Sequence, residues 1–277
     1  MSADARTVGA LRLNLRATYA RTYVRVMGSM RQPSWIVSDA VLPAIGMAAY
    51  VLLYRALGAP KSYEVLAVMG GVLATYWINV LWGMGTQLFW EKQQGQLQLY
   101  FVAPCSRMAI LAGMAIGGLL MTTVRSVVAI AFGLVVLGVR LPAFDPLALV
   151  GVFLVSMAAL YMVGMTLASL FLLHGREAWH LANAMNEPTL FLTGLYFPLR
   201  TLGGFGFAAA TIVPLGLGVD AIRQVVLGTA AHGLLPVPME VVILAALAVV
   251  FFVIARLALA HLENLSKREG RLTQRWQ

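Results

Sequence analysis

The sequence predicts an all-α, polytopic membrane protein with six transmembrane helices, and three observations carry that expectation. Apolar residues make up 60% of the 277 residues and charged residues only 11%, whereas an average soluble domain is about a quarter charged. Mean hydropathy is +0.82. The apolar residues also fall in blocks long enough to cross a bilayer, for which about 20 residues are needed. So few charges could not cover the surface of a water-soluble protein of this size. The length suits one compact membrane unit over residues 1–277, with no large soluble domain.

Residues 1–34 read as an amphipathic interfacial helix. Leu11, Leu15, Tyr19, Tyr23 and Met27 recur every fourth residue, and Arg12, Arg16, Arg21 and Arg25 fill neighbouring stripes. Such a helix lies in the headgroup layer with its arginines reaching to phosphates. A soluble helix packed on a partner is the other reading of the same pattern. Because these arginines interrupt the apolar residues, no cleavable leader is expected.

A six-span bundle follows over 35–260. The first span is Trp35–Tyr54, kinked or repacked at Pro43. An outer loop holds Arg55, Pro60, Lys61 and Glu64. The second span is Val65–Leu88, the third Ala109–Gly138 with Arg125 at its middle, and the fourth Leu147–Leu173. A short inner loop, His174–His180, leads to the fifth span, Leu181–Phe197. The connection Pro198–Pro238 is apolar and rich in glycine and proline, the composition of a re-entrant outer segment. Met239–Leu259 is the sixth span, and 261–277 is a basic tail.

Basic residues number 14 on the side of the N-terminus and five on the other. Positive residues sort to the cytoplasmic side, so both termini are expected in the cytoplasm. Contact with anionic lipid then accounts for the net charge of +9, and no nucleic-acid partner is expected. Cys105 is the one cysteine, which excludes an intrachain disulfide.

The run Glu91–Arg107 is too polar to span a membrane and too apolar for a solvated loop. Leu97, Tyr100 and Phe101 share a helical face at i, i+3, i+4 spacing. Pro104 and Ser106 stop this short helix and start the next span. The pattern predicts a helix along the cytoplasmic surface, presenting an apolar and aromatic face while joined to two spans. A push on it would move both.

Within this run, Glu91, Gly95, Leu97, Leu99, Ala103, Pro104, Ser106 and Arg107, followed by Gly113, resemble the signature of the permease subunits of type-2 ATP-binding-cassette (ABC) exporters. Gln96 and Met114 depart from it, where Thr and Lys are usual. Thr193-Gly194-Leu195-Tyr196-Phe197-Pro198 is similar to that family's Ser-Gly-x-x-Phe-Pro segment. Pro214 and Asp220-Ala221-Ile222-Arg223 are similar to its following Pro and Asp-x-x-Arg, with Val213 in place of the usual Asn. With span order included, the resemblance covers nearly the whole chain.

The resemblance implies two six-span permease subunits, identical or paralogous, driven by two separate ABC ATPase subunits. Glu91, Gly95, Leu97, Leu99, Tyr100, Ala103, Pro104 and Arg107 would form the coupling helix seated in an ATPase cleft. Gly194, Phe197, Pro198, Pro214, Asp220 and Arg223 would form the outer re-entrant motif. The chain has no Gly-x-x-x-x-Gly-Lys-[Ser/Thr] phosphate loop. No cofactor is therefore expected on it, and ATP and Mg would sit on the partner. A prokaryotic inner membrane and a hydrophobic cargo (a drug-like compound, a lipid or a lipid-linked molecule) are implied, with lipid-linked polysaccharide as the alternative.

Arg125 is costly at mid-span unless it faces the bundle interior. Glu187 is its candidate ion partner, with Asn183 and Asn186 as nearby donors along the pathway. His174, Glu177 and His180 lack helical ligand spacing and a cysteine, so no metal site is expected. An intramembrane enzyme would need a His-Glu-x-x-His or Gly-x-Ser-x-Gly motif, and neither occurs. An ATPase-independent secondary transporter would need ion-site carboxylates in both halves, and Glu187 has no counterpart in the first.

Overall fold

The computed structural model describes residues 3–31, 33–174, 177–231 and 233–269, and every regular element among them is a helix. In order these are α1 (Ala3–Met30), α2 (Pro33–Ala56) and α3 (Lys61–Ile78). A π-helical stretch, Asn79–Gly85, carries α3 on into α4 (Gln87–Gln93), and the short α5 (Leu97–Val102) follows. Next come α6 (Arg107–Ala131), ending in a π-helical turn at Phe132–Val136, then α7 (Pro146–His174) and α8 (Glu177–Leu192). A 3-10 turn, Leu199–Leu202, leads to α9 (Gly203–Ile212), α10 (Pro214–Leu227), a second 3-10 turn and α11 (Val237–Glu269).

Four stretches are long and apolar enough to cross a membrane: Lys61–Gln93, Arg107–Val136, Pro146–Leu172 and Val237–Leu262. They fall on the second, third, fourth and sixth expected spans. Of the first, Val41–Ala56 is a shorter apolar helix. The fifth falls on α8, which ends at Leu192 rather than Phe197. Gly194, at φ +61°, turns the chain there into a conformation that a residue with a Cβ rarely adopts. The connection after it is mostly helical: Pro198–Pro238 holds α9 and α10, with Pro214 in the first turn of α10, where its missing N–H leaves no bond unmade.

Lys61–Gln93, whose apolar stretch is mostly buried, is the axis of the bundle, and Val237–Leu262, whose apolar stretch is mostly not, is its rim. The core around that axis joins Tyr76, Trp77, Leu81 and Met84 to Leu160 and Phe171 of α7 and Leu195 beyond α8. On the rim, α11 lies along α7 and leaves Val242, Val249, Val253 and Leu257 exposed. In water such a face would lose about 25 cal/mol per Å². Against lipid tails it loses nothing.

The N-terminal helix is built into the bundle rather than set apart from it. Along α1, Thr18 Oγ1 donates to the carbonyl of Ala109 at 3.0 Å and Thr22 Oγ1 to that of Gly113 at 3.1 Å. The Ser106 N–H donates to Asn14 Oδ1 at 2.8 Å. Both sequences advance together, so α1 and α6 run side by side in the same direction. A Cβ on Gly113 would meet Arg21 Cβ at 2.6 Å, and one on Gly117 would meet Arg25 Cβ at 2.8 Å. This pair of glycines four apart lets the two backbones approach. The opposite stripe of α1, Leu11, Leu15, Tyr19 and Tyr23, is exposed.

Candidate functional site

The site begins at the lower end of the axial helix. Gly95, at φ +74°, terminates α4. The Gln96 N–H returns to the Glu91 carbonyl at 2.9 Å and the Gly95 N–H to that of Lys92 at 3.0 Å. These are the two bonds of a Schellman motif, whose left-handed residue is glycine because a Cβ would clash there. α5 then starts after Gln96 and ends at Ala103, whose extended backbone (ψ 132°) is the conformation required before Pro104. Gly95, Ala103 and Pro104 thus shape one short helix hung between α4 and α6.

Glu91, a turn above, is buried, and Arg21 of α1 pairs with it. Gln87 Nε2 donates to the same carboxylate oxygen at 2.9 Å. The Arg21 guanidinium also lies over the Tyr100 ring, 5.3 Å from its centre, so one side chain ties α1, α4 and α5 together. Burial pushes the Tyr100 hydroxyl up to about 12, with Arg21 opposing the shift. Arg107 sits close by, sharing a small cleft with Tyr100 and Leu88.

Two expectations change here. Arg21 and Arg25 do not reach outward to phosphates as Arg12 and Arg16 can; they face the bundle, because the α6 glycines draw that side of α1 inward. Arg25 donates to Gln87 Oε1 at 3.0 Å and to the Gly83 carbonyl at 2.7 Å. The wide π-helical turns around Gly83 leave that carbonyl open to it. Tyr100, expected on the presented face of α5, is turned inward, and Leu99 and Val102 are the exposed pair. The side chains of Leu97 and Phe101 lie outside the described residues, as do those of His174 and Glu177, Arg176, and the tail beyond Glu269.

The second motif closes into one unit near the other end of the axis. Arg223 is fully buried on α10. Its Nη1 donates to the carbonyls of Gly194 at 2.7 Å and Phe197 at 3.2 Å, and its Nη2 to that of Leu195. Two pieces of sequence nearly thirty residues apart thereby become one cradle. The segment also presses on α3, where a Cβ on Gly70 would collide with the Leu195 carbonyl. Tyr54 donates to the Tyr196 carbonyl at 2.6 Å, and the rings of Tyr50 and Tyr196 stack 4.1 Å apart. Asp220 accepts from the Leu234 N–H at 2.6 Å, and Gln224 Nε2 donates to both Asp220 and Glu240, at 3.3 and 3.1 Å. Glu240, buried in the first turn of α11, was not foreseen; a carboxylate opening an otherwise apolar helix was its signal.

The intramembrane polar candidates do not converge. Arg125 lines a cavity with Arg25 and Asn79, whereas Glu187 is exposed on α8, where Asn186 donates to it at 2.9 Å. Asn183, also on α8, is exposed as well. Among the described residues the ion pairs are Arg21–Glu91 and Arg55–Glu64, so the Arg125–Glu187 pair is corrected: α8 turns Glu187 away from the bundle. The residues missed from sequence were Asn14, Thr18 and Thr22. Their i, i+4 repeat opposite the Leu11–Tyr23 stripe was the available signal.

Comparison with known proteins gives one family. The family model described as ABC-2 type transporter matches residues 17–227, from α1 through α10 and so across both motifs. No curated protein matches the chain.

Proposed function

The chain belongs to the ABC-2 type transporter family, whose membrane domain is a transport permease without an ATPase of its own, and from that premise we propose that it forms half of the pathway of an ATP-driven exporter. In this reading α2 and α8 complete a set of six spans, two copies or two paralogues make the pathway, and two separate ATPase subunits bind ATP and Mg. Both termini face the cytoplasm of a prokaryotic cell. The observation that carries the reading is the junction of α1, α4 and α5. A short helix with exposed Leu99 and Val102 is fixed by Gly95 below and by Arg21 and Glu91 above, so force applied to it reaches the bundle axis.

The cargo in this proposal is hydrophobic: a drug-like compound, a lipid or a lipid-linked molecule. A cavity of about 300 Å³ between α3, α6, α7 and α10 supports it, walled by Met69, Tyr76, Phe144 and Phe153. Gly194–Pro198 with Pro214, Asp220 and Arg223 would form the outer gate above it.

The test is co-purification of the chain with its ATPase in detergent and measurement of ATP hydrolysis, with Gly95→Pro and Glu91→Arg alongside. A stable complex that the two substitutions uncouple or dissociate supports the proposal. A chain that purifies without ATPase, and is indifferent to both changes, refutes it.

A further inference from the structure

Three hydroxyls, those of Tyr76, Thr123 and Ser126, reach the wall of the 300 Å³ cavity between α3, α6, α7 and α10. None has a proton to spare. Tyr76 donates to Thr123 Oγ1 at 3.1 Å, and Thr123 donates to the Leu119 carbonyl at 2.8 Å. Thr75 donates to the Val72 carbonyl at 2.6 Å, which leaves Ser126 to donate to Thr75 across 2.9 Å. The other side chains that line the cavity are aliphatic, aromatic or methionine. A carbonyl, ether or amide oxygen placed there would find no side-chain donor among the described residues, and an unpaired buried acceptor is costly. The walls therefore select a hydrocarbon.

Size and direction say which kind. A cavity of about 150 Å³ lined by aliphatic and aromatic side chains stays dry and takes up one benzene, so twice that volume is room for about twelve carbons. The wall contributed by α3 runs from Val68 to Tyr76, about 12 Å along the helix at 1.5 Å per residue. Over that length, 300 Å³ leaves a section of about 25 Å², the section of one extended hydrocarbon chain lying parallel to the helices. Ile222 and Val226, buried on α10, close the cavity on its inner side, while Val127 of α6 and Val150 of α7 line it and are also exposed. The cavity thus opens sideways between α6 and α7. Its α3 wall lies roughly 10–22 Å below Lys61, within the thickness of a hydrocarbon core of about 30 Å. A lipid tail is as apolar as leucine, so it enters without a desolvation cost and restores the dispersion contacts that an empty cavity forfeits.

We propose that this cavity is a binding site for one hydrocarbon chain of a membrane amphiphile, inserted sideways between α6 and α7 from the leaflet on the Lys61 side. A resident phospholipid and a lipid cargo present the same chain. The site needs only that α3, α6 and α7 span the bilayer; its use for cargo rests on the exporter reading, which it narrows from hydrophobic compounds in general to those with an extended chain.

The experiment is photolabelling of the full-length chain in phosphatidylcholine vesicles doped with phosphatidylcholine that carries a diazirine midway along one acyl chain. Adducts mapped by mass spectrometry should fall on Met69, Tyr76 and Phe153, in the cavity, roughly five-fold more often than on Val249 and Val253, which α11 leaves exposed. A diazirine on the headgroup should leave the same three residues unlabelled. Val127→Trp, at the mouth, should cut their labelling roughly five-fold with the melting temperature unchanged. Leu120→Trp is its control: Leu120 is exposed on the same helix without lining the cavity, and that variant should label as the native chain does. Labelling in the cavity no stronger than on α11, or equal in the native chain and in Val127→Trp, overturns the proposal. So does displacement of the probe by a fused-ring amine but not by hexadecanol. With the ATPase bound, labelling that ATP lowers assigns the chain to a cargo. Labelling indifferent to ATP assigns it to a resident lipid, and then the site stands while the cargo reading of this cavity falls.

Discussion

Removing Arg223 should unfasten the outer motif. Its guanidinium makes three hydrogen bonds to the carbonyls of Gly194, Leu195 and Phe197. Hydrogen bonds to a charged group contribute about 1.5–3 kcal/mol each, so the gross loss in Arg223→Ala is roughly 5–9 kcal/mol. Against this stands the desolvation of a fully buried cation, which vanishes with it and is worth several kcal/mol. The net expectation, the lost bonds less that desolvation cost, is a destabilisation of about 3–5 kcal/mol. Arg223→Met, which fills most of the volume but satisfies no carbonyl, should fall in the same range, whereas Arg223→Lys should fall between it and the native chain. The assay is the apparent melting temperature of the detergent-solubilised chain by fluorescence-detected size exclusion, with an expected drop of roughly 10 °C at a few degrees per kcal/mol. If Arg223→Met melts with the native protein, the carbonyls do not depend on the guanidinium and the cradle is not what holds this motif.

The α1–α6 contact offers a second test: Gly113→Val places methyl groups where Arg21 Cβ and the Thr18 carbonyl stand at 2.6 Å from even a Cβ, and should destabilise the chain by about 1–3 kcal/mol as an overpacked contact does, while Gly151→Val, with open space around it, should not; a thermal melt of each decides. The Tyr100 hydroxyl gives a pH dependence. Its pKa in the folded chain, about 12, lies above its ordinary value of 10.0 because of burial. The stability it contributes is therefore whole below pH 10 and declines as pH rises through 10 toward 12. Melts across that interval should show Tyr100→Phe losing less than the native chain, and parallel curves would refute the assignment.

What could be read from the sequence was whatever rests on composition along a single helix. The four long spans were visible because an apolar run must be about as long as the bilayer is thick, whatever it packs against. The α4–α5 break was visible because Gly95 and Pro104 act on the local backbone. Contacts between helices were not. Arg21 and Arg25 read as headgroup-seeking from the pattern of α1 alone; only the Gly113 and Gly117 surface of α6 reverses them. Tyr100 was assigned outward because a six-residue helix has too few turns to show which of two apolar faces is buried. The members of the outer motif were named, but nothing in their spacing says that Arg223 grips the carbonyls of Gly194, Leu195 and Phe197. Glu187 was misplaced for a related reason, since one carboxylate on a half-apolar helix carries no sign of which side faces the bundle.

In the proposed exporter, Lys61–Gln93, which continues through its π-helical stretch, would act as a lever. Its fulcrum is Gly70, wedged against the Leu195 carbonyl, and its working end is Glu91, 21 residues below and so about 32 Å away at 1.5 Å per residue. A tilt of about 10° at the fulcrum sweeps that end through roughly 5 Å over such a length, about one helical turn. In the proposed exporter, small adjustments where Arg223 holds the chain and large displacements beneath Gly95 would be the two ends of one stroke, with the mechanical advantage fixed by where along the rod the glycine falls.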